Sequence, residues 1–151
     1  GFRNMLQREY TNGQTFDILE TRDAALVLPI EKDTGKIILV EGHYPGPDEY
    51  LITWPGGYVD LEDLSPLVAG ARELLEETGY AGQLEHLHSM HLYGYATAQH
   101  HLYLARDCVK VQEPIEEGLE ILVVDFKEAL TLLRETKSYL YGYMFQAVDK
   151  L

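Results

Sequence analysis

The chain has 151 residues and a single cysteine, Cys108, which is room for one domain around one core and no material for an internal disulfide. Its 25 acidic and 12 basic side chains leave a net charge of −13, a field that repels nucleic-acid phosphates and argues against duplex binding. Neither a charged-then-apolar leader nor a long apolar run occurs in the sequence, so a soluble protein of a reducing, cytoplasmic compartment is expected, with no membrane partner.

In chain order, Leu6 to Tyr10 and Gln14 to Glu20 flank Thr11-Asn12-Gly13, and Asn-Gly between alternating apolar residues predicts a peripheral hairpin. Ala24 to Ile30 and Lys36 to Glu41 are apolar runs parted by a polar, Gly-containing turn and read as central strands. His43 to Glu49 carries two prolines and a glycine, which predicts a loop. Tyr50 to Trp54 then forms a short strand before Pro55-Gly56-Gly57, with Tyr58 to Asp60 as one more. Ser65 as N-cap, Pro66 at the first helical position and Gly79 as a left-handed stop bound a helix over Pro66 to Thr78. Beyond it, Gln83 to Tyr93, His100 to Asp107 and Ile121 to Phe126 read as strands. Asp125 with Glu128 opens a helix running to about Glu135, and Ser138 to Leu151 predicts a third helix.

The helix over Pro66 to Thr78 is the informative element. Leu67, Ala71, Leu74 and Leu75 fall at helical spacing and make one buried stripe. On another face Glu73 stands three and four residues from Glu76 and Glu77, so three carboxylates crowd one patch. Like-charge neighbours cost roughly 0.2–0.5 kcal/mol per pair, and acids near the negative end of the helix dipole cost roughly 0.3–1 kcal/mol each. A bound cation reverses both signs. Magnesium, which takes oxygen ligands in octahedral geometry, suits such a set. Arg72, four residues before Glu76, can orient a carboxylate or meet a phosphate. A solvated acidic face is the plain alternative, and the surrounding sequence decides between the two.

Gly57 and, after a loop, Arg72-Glu73-Leu74-Leu75-Glu76-Glu77-Thr78-Gly79-Tyr80 resemble the Nudix box. In that box a glycine and a loop glutamate precede Arg-Glu-aliphatic-any-Glu-Glu-any-Gly-aliphatic. Two departures stand out. Tyr80 holds the final aliphatic position, and the loop is one residue longer than the pattern. Counting back from Arg72 lands on Leu64, whereas counting forward from Gly57 lands on Asp63, so Asp63 or Glu62 is left to take the loop glutamate's part. Leu51 to Gly57, His101 to Asp107, Glu120 and Lys127-Glu128-Ala129-Leu130 are similar to the ADP-ribose pyrophosphatase branch of the family. The N-terminal hairpin fits too, since that branch often exchanges such strands in a homodimer.

The resemblance implies an α+β fold, a Nudix-type α/β/α sandwich with a mixed central sheet. One domain would cover residues 1–151, with residues 1–20 as the peripheral hairpin. It also implies hydrolysis of a phosphoanhydride bond in a nucleoside diphosphate linked to another group. An ADP-ribose-like substrate is favoured over nucleotide sugars and dinucleoside polyphosphates, and a catalytically weak nucleotide-binding module is the reading outside the enzymes. Mg2+, with Mn2+ as a substitute, would be held by Glu73, Glu76 and Glu77 beside Arg72. Glu116 and Glu117, on a Pro- and Gly-containing acidic loop, are the candidates for a general base. Gly57 would lie against the substrate. Tyr93 and Tyr95 stand where the branch usually carries a proline, and their rings could stack on a nucleobase or pack at a strand edge. His86, His88, His100 and His101 fall on strands without a cysteine cluster or a helical His pair, so no zinc site is expected.

Overall fold

The computed structural model describes residues 3–151; Gly1 and Phe2 of the expected peripheral segment lie outside them. An N-terminal hairpin pairs β1 (Asn4–Glu9) with β2 (Thr15–Glu20) in antiparallel register, Leu6 opposite Ile18. Its turn closes with Gly13 at φ 84°. The main sheet holds β3 (Ala24–Glu31), β4 (Ile37–Tyr44), β5 (Glu49–Thr53), β6 (Gly56–Tyr58), β7 (Tyr80–His91), β8 (Gln99–Lys110) and β9 (Glu120–Val124). The order β5-β4-β3-β8-β7, with β6 on β3 and β9 on β4, is mixed because β3 and β8 run parallel while the other pairs are antiparallel.

Strand periodicity builds the two cores. In β3 and β8, Leu26, Leu28, Leu102 and Leu104 point to one face, where they meet Ala129, Leu133, Leu140 and Met144. Ala25, Val27, Tyr103 and Ala105 point to the other face and meet Ala69 and Leu74. The first face is covered by α2 (Phe126–Glu135) and α3 (Leu140–Tyr143), the second by α1 (Pro66–Thr78). This is the expected α+β sandwich. Among the described residues no helix is long and apolar enough to cross a membrane.

Several expectations shift. The stripe expected over Leu67, Ala71, Leu74 and Leu75 is turned: Leu67 and Ala71 are exposed, and Ala69, Gly70 and Leu74 are the buried residues packed toward the sheet. The short strand placed over Tyr58 to Asp60 sits earlier, because Gly56 and Gly57 themselves pair with Leu26 and Ala25 of β3. β4 runs on to Tyr44 because β5 pairs with it as far as Tyr44 opposite Glu49, which shortens the predicted loop. β7 spans Tyr80–His91 rather than Gln83 to Tyr93, since its pairing with β8 begins at Tyr80 opposite Lys110. The third helix predicted over Ser138 to Leu151 is instead one α turn followed by two 3₁₀ turns, Met144–Gln146 and Val148–Lys150. Gly142 and a run of aromatic residues weaken helix formation there. Burial of Leu140, Met144 and Ala147, not propensity, holds the segment down.

Candidate active site

Helix α1 presents the acidic face because both its ends are fixed. Ser65 Oγ accepts from the Val68 amide at 3.2 Å, Pro66 fills the first turn, and Gly79 stops the helix at φ 76°. Gly79 matters a second time: a side chain there would bring its Cβ to 2.0 Å from the Gln112 carbonyl oxygen. That closeness lets the Val111 and Gln112 amides donate to the Gly79 carbonyl at 2.9 and 3.3 Å. The Ile115 and Glu116 amides then donate to the Glu76 carbonyl at 2.8 and 3.0 Å. Backbone groups left open at the end of a helix thus pin the acidic loop over it.

The consequence is a cluster. One carboxylate oxygen from each of Glu73, Glu77 and Glu116 lies within 4.8 Å of the others. Gly56 and Gly57 form the opposite wall. The Gly56 amide donates to Glu77 Oε2 at 3.1 Å. A Cβ at Gly57 would stand 2.5 Å from Glu73 Oε1, so glycine is what leaves room for that carboxylate. Glu76 lines the same bowl, but its carboxylate is 38% exposed and accepts from Arg72 Nη1 at 3.3 Å. Glu117 is exposed and belongs to neither group.

Arg72 is held from every side. Its Nε and Nη2 donate to the two oxygens of Asp63 at 3.0 and 2.8 Å, a bidentate pair. Nη2 also donates to the Tyr58 carbonyl at 3.1 Å, and Nη1 to Glu73 at 3.0 Å. The Asp63 side chain is 5% exposed, and its carboxyl is held below the usual range, chiefly by the Arg72 hydrogen bonds. Of the two loop acids left open by the sequence, Asp63 is the one that grips Arg72. Glu62 and Leu64 are exposed. Tyr80, at the box's aliphatic position, is buried and donates its hydroxyl to Glu31 at 2.7 Å.

Electrostatics mark the bowl as cation-seeking. Burial pushes the Glu77 carboxyl up to about 9, aided by the charges of Glu73, Glu116 and Glu76 and opposed by the Gly56 hydrogen bond. Burial also raises Glu73, with Arg72 opposing it. Carboxyls raised by burial and mutual repulsion return toward their ordinary range when a divalent cation binds, so the oxygen donor set fits such an ion.

Other predicted residues lie elsewhere. Tyr93 and Tyr95 are about half exposed at the turn after β7, where Tyr95 packs near Phe16 of the hairpin at 6.0 Å and its carbonyl accepts from the Leu19 amide. Within one chain they do not reach the bowl. Among the described residues no histidine belongs to the group of side chains that could hold a metal ion. Instead Asp23 accepts from His101 Nε2 at 2.8 Å, His101 Nδ1 meets Ser89 Oγ at 2.7 Å, and His86 Nε2 meets the same hydroxyl at 2.8 Å.

The sequence model of the family described as NUDIX domain matches residues 20–143. A search of curated proteins returns no match. Among 328 matching chains of solved structures, one described as an ADP compounds hydrolase superposes with a TM-score of 0.74 at 22% identity, over 97% of this chain and 84% of that one. That likeness is one of fold. With the family match spanning most of its length, the chain belongs to the NUDIX family, and its enzyme class is that of the Nudix pyrophosphohydrolases.

Proposed function

We propose that the chain hydrolyses a phosphoanhydride bond in a nucleoside diphosphate linked to another group, with an ADP-ribose-like compound as the favoured substrate and a divalent cation, Mg2+ or in its place Mn2+, as cofactor. The observation that carries this is the convergence of Glu73, Glu77 and Glu116 in a bowl floored by Gly56 and Gly57. Glu73 and Glu77 would hold the metal with Glu76 beside them. The cation, when bound, would neutralise the diphosphate and make a coordinated water more acidic.

The chain's own residues supply positioning. Arg72, locked by Asp63, keeps Glu73 and Glu76 in place. Gly57 lets the diphosphate approach the backbone closely. We assign the proton of the attacking water to the exposed Glu116. The water oxygen bonds to phosphorus, the bridging P–O bond breaks, and two phosphorylated products leave. The bidentate hold on Arg72 speaks against a binding module that has lost its chemistry. A homodimer formed through the hairpin is part of the proposal, supported by β1, which is exposed along its whole length. Cytoplasmic residence is a further part of the proposal, and a lone buried cysteine with no disulfide partner is compatible with it.

The test is incubation with Mg2+ or Mn2+ of ADP-ribose, nucleotide sugars, dinucleoside polyphosphates and nucleoside triphosphates, with products separated by chromatography. Turnover of ADP-ribose to AMP and ribose 5-phosphate is expected. Measurable nucleotide binding with no turnover of any compound would contradict the proposal in favour of a binding module.

A further inference from the structure

β7 closes one end of the sheet's order, and its ladder with β8 carries a bulge. In a regular strand His86 and Ser89, three residues apart, would point to opposite faces. The register shift between His86 and His88 turns His86 toward Ser89, which stands opposite His101 of β8. Asp23, one residue before β3, meets His101 from its other side.

The four side chains form one hydrogen-bonded line, and their chemistry fixes its direction. A carboxylate only accepts, so His101 Nε2 carries a proton and donates to Asp23 Oδ2 at 2.8 Å. In the neutral imidazole Nδ1 is then bare and accepts from the Ser89 hydroxyl at 2.7 Å. Ser89 has one proton to give, so its contact with His86 Nε2 at 2.8 Å is made by a proton on His86. That leaves one lone pair of Ser89 Oγ unused. Asp23 is itself fixed, because its Oδ1 accepts from the Gln99 amide at 2.9 Å and its carbonyl from the Val59 amide at 2.8 Å. The His101 side chain is 13% exposed while His86 is exposed, so the base is sheltered and the serine is approached from the His86 side.

We infer that Ser89 is a nucleophile that takes the acyl group of small, neutral, activated carboxylic esters, with His101 as its base and Asp23 as the residue that positions the base. A nucleophile, a base within hydrogen-bond reach and a third group that orients the base are the parts of an activated serine. The net charge of −13 repels phosphates where no cation is held, which favours a neutral electrophile here. Ser89 Oγ bonds to the carbonyl carbon while its proton passes to His101 Nδ1. The ester C–O bond then breaks, and the leaving alcohol or phenol departs with that proton. The proton on His86 Nε2 is placed beside the oxygen that carries the transient negative charge. None of the four residues lines the carboxylate bowl, so the inference does not rest on the hydrolase reading.

The test is incubation of the full chain with a fluorophosphonate, which loses fluoride to an activated serine, and in parallel with p-nitrophenyl acetate. Adducts are then placed by tandem mass spectrometry. A phosphonyl and an acetyl adduct on Ser89 are expected in the wild type. Ser89→Ala should lose both and keep a cooperative melt. A general base contributes roughly 10² to 10⁴ in rate, so His101→Gln should slow labelling at least about 100-fold. Asp23→Asn should slow it at least about tenfold, and Asp23→Glu should return part of that loss. Glu77→Gln, which alters the bowl alone, should label as the wild type does. The wild-type map decides without any variant: absence of an adduct on Ser89 overturns the inference. Labelling of His101→Gln at the wild-type rate overturns it equally.

Discussion

A glutamate that is 8% exposed, Glu77, has its carboxyl pushed up to about 9, first by burial and then by its acidic neighbours. A carboxyl whose folded pKa is raised favours the fold while protonated. That contribution is complete below the unfolded value near 4.5 and is lost as pH rises toward about 9. The metal-free protein should therefore lose melting temperature between about pH 5 and about pH 8. Mg2+, which binds the ionised form, should return more of it at the higher pH. Calorimetric melts with and without Mg2+ check this; a metal effect that is larger at the lower pH would contradict it. Asp63 makes the opposite contribution, since Arg72 lowers its pKa. Asp63→Ala should cost about 1.5–3 kcal/mol in urea unfolding and reduce hydrolysis, whereas Glu62→Ala should change neither. The box glutamates were legible in the sequence because their spacing is helical. The loop acid was legible only as a choice between Asp63 and Glu62, because a loop one residue longer sets its contacts by three-dimensional path and not by count.

At the scale of elements, the site depends on a loop fastened to a helix end. Gly79 closes α1 and stands against Gln112, so Gly79→Ala forces both a positive φ and a clash at 2.0 Å. More than about 1 kcal/mol of stability should go with it, and activity should fall further than stability, since Glu116 moves with the loop. Thermal melts and initial rates measured on one preparation would separate the two, and an unchanged rate would contradict the clamp. The sequence offered Gly79 as a helix stop and Glu116 as an acidic loop residue. That they belong to one device needed the carbonyl of Glu76 to be seen accepting two loop amides. The C-terminal segment was misread as a long helix for a related reason. Burial of Leu140 and Met144 against Trp54 and its neighbours overrides a local preference that aromatic residues and Gly142 leave weak. Met144→Ala should accordingly destabilise the fold by about 2–5 kcal/mol, read by denaturant unfolding.

Over the whole molecule, the sheet turns one sequence period into two cores, and the two sides meet different duties. The α1 side carries the carboxylates; the α2 and α3 side closes the core around Leu133, Leu140 and Met144. The net charge of −13 repels a diphosphate everywhere except where a cation sits, which gives the acidic bowl and its metal a common reason. The fold class was readable from strand alternation and the helix boundaries, whereas the bowl depends on β6, α1 and the loop of Glu116 meeting in space. In the proposed reaction, carboxylates gathered from α1 and the distant loop act together in metal-dependent hydrolysis. The measurement that bears on it most directly is the initial rate of Mg2+-dependent ADP-ribose hydrolysis by Glu77→Gln and Glu116→Gln against the wild type. Losses of more than about 100-fold in both, with melting curves that stay cooperative, are predicted, and a wild-type rate in either variant would contradict the claim.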